Sequence, residues 1–256
     1  MYPRSAALVA LALALGCETK AAPPPPLPPP PRPPEAKVQE VTPPPPRPVE
    51  VDTVEVPGDV PAFVLRGAKG ARALMVFLHG RCTHALGYVQ AFQFAAAERG
   101  TVIAPQGDKA CGATPFRRWS PDIDYVEARI SAALRAAGYE DPALVQDRII
   151  IGYSEGASRA EALAQRFPDR YSRVILIGAP VAPSAGRLAK VRGAVMMAGE
   201  RDAQEPMKAG ARALVAASIP ATFIGIPGAS HGQMGDGERL MRQAFDWLWA
   251  HEKPAK

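Results

Sequence analysis

Arg148-Ile149-Ile150-Ile151-Gly152-Tyr153-Ser154-Glu155-Gly156 is the stretch that decides the fold. A short, fully apolar run ends in Gly-x-Ser-x-Gly, and residues 154–167 continue with helical periodicity. The apolar run reads as a strand buried on both faces, which is the signature of a parallel sheet. The glycines at Gly152 and Gly156 have a steric purpose. A serine held in a tight strand-to-helix turn leaves no room for side chains beside it. The turn pushes the Ser154 hydroxyl outward and sets the next N–H at a helix N-terminus, where negative charge is favoured.

Outward from this point the same alternation repeats. Other apolar runs are 73–78, 101–104, 174–177, 194–197 and 221–224, with a hairpin at 51–65 turning on Pro57-Gly58. Helix-period segments fill the gaps at 85–99, 124–137, 207–218 and 236–249. Strand, helix, strand in succession predicts right-handed crossovers and about eight strands in a mostly parallel sheet covered on both faces. On the last helix Leu240, Met241, Ala244, Phe245, Leu248 and Trp249 share one face, while the charges of 124–137 (Glu127, Arg129, Arg135) read as a solvated face.

Open parallel sheets place their chemistry beyond the carboxyl ends of the strands. Ser154 lies there, and a neutral hydroxyl needs a base. Of the four histidines, His231 follows the last strand in Pro227-Gly228-Ala229-Ser230-His231-Gly232 and is the base expected. His251 is near the C-terminus, His84 opens a helix, and His79 ends the third strand. The base needs an acid to fix its tautomer. Asp202, on the loop after 194–199, is the first choice, with Glu200 and Glu205 as competitors.

The order Ser154, Asp202, His231 resembles that of the α/β-hydrolases. The carriers of the resemblance are Leu78-His79-Gly80, Gly152-Tyr153-Ser154-Glu155-Gly156, Gly199-Glu200-Arg201-Asp202 and Gly228-Ala229-Ser230-His231-Gly232, and it spans about 49–249. The chain looks most like the small, lidless carboxylesterase, thioesterase and dienelactone-hydrolase-like members. Dienelactone hydrolases use cysteine as nucleophile, so Ser154 points to the esterase side. The resemblance implies that the backbone N–H groups of Glu155 and Arg81 form the oxyanion hole, and that His79 is structural. Sequence leaves open whether Arg81 or Cys82 supplies the second N–H.

The first fifty residues read differently. Arg4, the apolar run 6–15 and Gly16-Cys17 resemble a bacterial lipoprotein signal, with cleavage after residue 16 and acylation of Cys17. The alternative is an ordinary secreted protein. Fifteen of the 29 prolines fall between Pro23 and Pro48, so 17–50 is expected to be a disordered, Pro-rich tether. The hydrolase domain is expected over 51–256, facing the cell envelope or the exterior. In an exported protein Cys82 and Cys111, on loops at the same rim, are expected to form a disulfide. The alternatives are free thiols or a metal pair, and no His/Cys spacing supports metal.

Composition excludes other classes. The net charge is +5 with no Lys/Arg run, which argues against nucleic-acid binding. Local proline enrichment excludes a collagen-like or wholly disordered chain. No phosphate-cradling loop is present, so no cofactor is expected. Pro115-Phe116-Arg117-Arg118-Trp119-Ser120 reads either as a pocket wall for an anionic or aromatic substrate or as a surface loop with Trp119 on the core. The expected substrate is a small acyl ester or thioester, the expected membrane contact is the lipid anchor alone, and a monomer is presumed. A peptidase or amidase with the same triad is the rival enzyme. A catalytically silent envelope interaction protein is the rival from another class.

Overall fold

The apolar runs become strands. The structure is a computed structural model describing residues 49–141 and 146–254. The expected signal 1–16, Cys17 and nearly all of the tether 17–50 lie outside the described residues. The strands are β1 (Val51–Val54), β2 (Ala62–Leu65), β3 (Ala73–Leu78), β4 (Gly100–Ala104), β5 (Lys109–Ala110), β6 (Arg117–Arg118), β7 (Arg148–Tyr153), β8 (Tyr171–Ile177), β9 (Gly193–Gly199) and β10 (Ala221–Ile226). The helices are α1 (Ala85–Gln90), α2 (Gln93–Ala97), α3 (Ile123–Ala136), α4 (Glu155–Arg166), α5 (Glu205–Ala216) and α6 (Gly237–His251).

Eight strands form one sheet in the order β1-β2-β4-β3-β7-β8-β9-β10. Pairing is parallel from β4 to β10, and antiparallel where β1 meets β2 and β2 meets β4. The eight-stranded, mostly parallel sheet is as expected. β5 and β6 form a separate antiparallel hairpin within the segment 107–121.

Strand side chains alternate between two cores. Val76, Leu78, Ile150, Val174, Leu176, Ala194 and Met196 pack toward α3, α4 and α5. Met75, Phe77, Ile149, Ile151, Ile175, Ile177, Val195 and Met197 pack toward α1, α2 and α6. The central strands are buried on both faces, so β7 is rigidly held where it delivers Ser154.

Three sequence expectations change. The helix expected over 85–99 is broken at Phe92, whose backbone leaves the helical region (φ −137°, ψ 27°). Its ring is buried against Phe77 at 5.7 Å, and Glu238 accepts the N–H groups of Phe94 and Ala95 at 2.9 and 2.7 Å. A carboxylate from a distant helix thus caps α2, which local periodicity cannot reveal. Secondly, Glu127 and Arg129 are not solvated; they are 3% and 5% exposed. Glu127 Oε1 accepts from Arg148 (3.3 Å) and Arg170 (2.7 Å), its Oε2 accepts from the Tyr171 hydroxyl, and Arg129 makes a bidentate pair with Asp59 at 2.6 Å. The partners come from β7, β8, the residue before β8 and the β1–β2 turn, so these charges are paired only through tertiary contacts, with Arg129 Nη1 and Arg148 Nε and Nη1 left without a partner. Arg135 is exposed as expected. Thirdly, Trp249 is 38% exposed, with Arg99 lying over its ring at 5.4 Å.

Candidate active site

Ser154 has φ 54° and ψ −115°, a conformation non-glycine residues rarely adopt. The neighbouring contacts show why glycine flanks it. A Cβ on Gly156 would lie 2.1 Å from Leu78 O, and one on Gly152 would lie 2.4 Å from Gly156 O. The turn can close only because both positions lack a side chain.

His231 reaches Ser154 from the loop after β10. Its Nε2 is 3.0 Å from Ser154 Oγ, and its Nδ1 is 2.7 Å from Asp202 Oδ2. An ionised carboxylate can only accept, so Nδ1 carries the proton and Nε2 accepts from the serine hydroxyl. Asp202 is fixed in turn, because its Oδ1 accepts the Ala203 N–H at 2.7 Å. The competitors stand elsewhere. Glu200 Oε2 accepts the Gly228 N–H at 2.7 Å and so braces the histidine loop, while Glu205 is exposed and paired with Arg212.

Two features of this arrangement have no sequence signal of their own. Tyr153, the variable residue of the elbow, accepts the Gly232 N–H at 2.6 Å, and its ring meets the His231 ring edge-on at 5.6 Å. Burial pushes its hydroxyl pKa up to about 12, helped by the nearby Tyr88 and Asp202, so it remains a neutral strut. Gly178, just after β8, has φ +57°, and a Cβ there would lie 3.3 Å from Asp202 Oδ2 and 3.4 Å from His231 Cε1. Gly178 stands beyond a strand end, as Ser154, Asp202 and His231 do. That placement is the only hint the sequence offers.

The loop after β3 runs against the serine. A Cβ on Gly80 would be 3.4 Å from Ser154 Cβ. His79 is fully buried and organises this loop: Nδ1 donates to Gly80 O at 2.7 Å, and Nε2 accepts the Gly107 N–H at 2.9 Å. Burial above all, with Arg129, Arg117 and His84 adding to it, lowers its pKa from 6.5 to about 4, which keeps it neutral. The Trp119 indole donates to His79 O at 2.8 Å and the residue is 3% exposed, so this side chain belongs to the core. Glu155 binds the loop to the elbow: Oε1 accepts from Arg81 Nε at 3.3 Å and Oε2 from the Trp119 N–H at 3.0 Å. Among the described residues the main-chain N–H groups of Glu155, Arg81 and Cys82 have no hydrogen-bond acceptor in the protein.

Cys82 and Cys111 form a disulfide, with Cα atoms 5.5 Å apart. It ties the Arg81 loop to the β5–β6 hairpin. Thr83 pairs with Arg117 as an additional bridge between the same segments. Beside the histidine loop opens a cavity of about 680 Å³, lined among others by His84, Tyr88, Phe116, Gly232 and Met234. The ring of its wall residue Tyr88 lies 4.9 Å from that of Tyr153, the residue before Ser154. Among the described residues, no group of three or more His, Cys, Asp or Glu side chains is placed to hold a metal ion. No helix there is long and apolar enough to cross a membrane.

No protein-family model and no curated protein sequence matches the chain. Solved structures do match its backbone. A predicted CIB-like hydrolase from Thermoplasma acidophilum superposes with a TM-score of 0.58 at 20% identity, covering 78% of this chain and 97% of that one. Naproxen esterase (carboxylesterase NP) from Bacillus subtilis gives 0.59 at 11% identity, over 79% and 92% of the two chains. FphF, a fluorophosphonate-binding serine hydrolase of Staphylococcus aureus, gives 0.55 at 14% identity, over 73% and 91%. The chain has the α/β-hydrolase fold. The strained Ser154 turn joins β7 to α4, and β5–β6 is a hairpin between β4 and α3, the helix that leads to β7.

Proposed function

We propose that the protein is a serine hydrolase of small carboxylic esters or thioesters, working through an acyl-enzyme. One observation carries the reading: the hydrogen-bonded chain Asp202–His231–Ser154, at 2.7 and 3.0 Å, on a strained elbow beside an open cavity. Ser154 Oγ attacks the acyl carbon as its proton passes to His231 Nε2. Asp202 holds the Nδ1 proton and stabilises the imidazolium. The backbone N–H groups of Glu155 and Arg81 are the proposed oxyanion donors, an interaction worth about 10²–10³ in rate for each donor. The imidazolium then protonates the leaving group. Water, deprotonated by the same nitrogen, releases the acid and restores Ser154. The esterases among the structural neighbours support this choice of chemistry.

The test is fluorophosphonate labelling of the purified protein beside Ser154→Ala. Labelling of the wild type alone is expected. A folded wild-type protein that stays unlabelled points instead to a silent scaffold.

We also propose export and lipid anchoring, supported by Arg4, the apolar run 6–15, Cys17 and the proline-rich stretch that follows. Intact mass of membrane-extracted protein is expected to show acyl groups on Cys17. An unmodified N-terminus or a freely soluble product contradicts the anchor.

A further inference from the structure

We infer that the cavity beside His231 selects esters carrying a carboxylate, and that Arg118 is the residue that recognises it; the inference rests on the ester-hydrolase reading. The hairpin bearing Arg118 is fastened to the site on both sides. The Cys82–Cys111 bridge and the Thr83–Arg117 pairing hold it to the Arg81 loop, and the Trp119 N–H holds it to Glu155, the residue next to Ser154.

Its pairing fixes which way the side chains leave. Arg117 pairs with Ala110 and Arg118 with Lys109, and the Cys111 N–H donates to Phe116 O at 3.0 Å, extending the ladder. Residues 116 and 118 therefore share a face and 117 occupies the other. Phe116 lines the cavity. Arg117 turns the opposite way and donates to the carbonyls of Gly107 and Asp108. Arg118 thus leaves the hairpin on the cavity side.

The charges around it are already paired. Arg81 is held by Glu155, and Lys109 lies 3.5 Å from Asp108. Both acids are engaged further, Glu155 by the Trp119 N–H and Asp108 by the Ser120 N–H. Among the described residues, Arg118 is exposed and its guanidinium has no hydrogen bond or ion pair. It stands opposite Lys109, whose charge is already answered by Asp108, so Arg118 is the cation of this pair left without a partner. Tyr88, Ala91 and Met234 give the cavity apolar walls for the body of a substrate, and its volume suits a small organic group. An apolar pocket with a free guanidinium on the same hairpin face as its lining residue Phe116 fits a carboxylate, whose two oxygens match the planar fork.

The test uses the full chain and two pairs of esters, the members of each pair differing by one carboxylate charge. One pair is 4-nitrophenyl hydrogen glutarate against its methyl-capped diester; the other is 3-carboxyphenyl acetate against phenyl acetate. The first puts the carboxylate on the acyl side and the second on the leaving group. The wild type is expected to favour the charged member of at least one pair by about fivefold in kcat/KM, the scale of a partly exposed charge-assisted contact. Arg118→Ala should bring that ratio to about one while leaving the neutral esters unchanged within about twofold, and Arg118→Glu should invert it. Neutral turnover without any charge preference overturns the inference and leaves the hydrolase reading standing, as does a preference that survives in Arg118→Ala. No turnover of any ester, with Ser154 unlabelled, overturns both.

Discussion

Gly178→Ala separates the geometry of the acid–base pair from the stability of the fold. The substitution has two costs. At φ +57° an alanine pays for a left-handed backbone, about 1 kcal/mol. Its Cβ would also lie 3.3 Å from Asp202 Oδ2, 3.4 Å from His231 Cε1 and 3.5 Å from His231 Nδ1, so one of these side chains must give by a few tenths of an ångström. A misplacement of 1 Å at a reacting centre costs about 10²-fold, so about a third of that on a logarithmic scale predicts a kcat loss of roughly fivefold. Gly58→Ala is the control. It has φ +75° and nothing within 4 Å of the added carbon, so it bears the backbone cost alone. Urea unfolding midpoints and steady-state hydrolysis of an activated acetate ester, measured on both variants, decide the matter. Similar destabilisation with a fall in kcat only for Gly178→Ala is expected. Equal kcat in both variants and the wild type would refute the claim that this slot sets the Asp202–His231 position.

Asp202→Asn leaves the shape intact but no longer demands a proton on Nδ1, so kcat should fall by about 10³–10⁴ with much smaller change in KM; a loss below tenfold would return Glu200 to consideration. The Cys82–Cys111 bridge spans a separation of 29 residues, for which loop-closure entropy predicts about 3.5 kcal/mol of stability. Cys82→Ser with Cys111→Ser should lower the urea midpoint accordingly, and peptide mapping of the untreated protein should find neither thiol free. His79 has a folded pKa of about 4 against an ordinary 6.5. Between those values the unfolded chain takes up a proton that the folded chain refuses, so this contribution is complete above pH 6.5 and is lost as pH falls toward 4. By pH 5 the loss is about 2 kcal/mol. An NMR titration of the His79 imidazole with a midpoint near 6.5 would contradict this.

Much of the site could be read along the chain because its signals are short-range. Gly152 to Gly156 states a steric requirement within five residues, and the apolar runs announce strands wherever both faces are buried. Strand ends then point to Asp202 and His231, since a parallel sheet brings its carboxyl ends to one rim. The three-dimensional arrangement decided what depends on residues far apart in sequence. Asp202 rather than Glu200 meets His231 because a loop turns one carboxylate inward and sets the other under Gly228. Glu127 and Arg129 are buried because their counter-charges arrive from other strands and turns. Glu238 caps α2 from across the molecule, Gly178 makes room for a pair it does not adjoin, and the hairpin carrying Arg118 takes its direction from a register no periodicity announces. Periodicity and local strain are written in neighbouring residues, whereas charge pairing and close approach are properties of distance, which exists only once the sheet has brought its strand ends together.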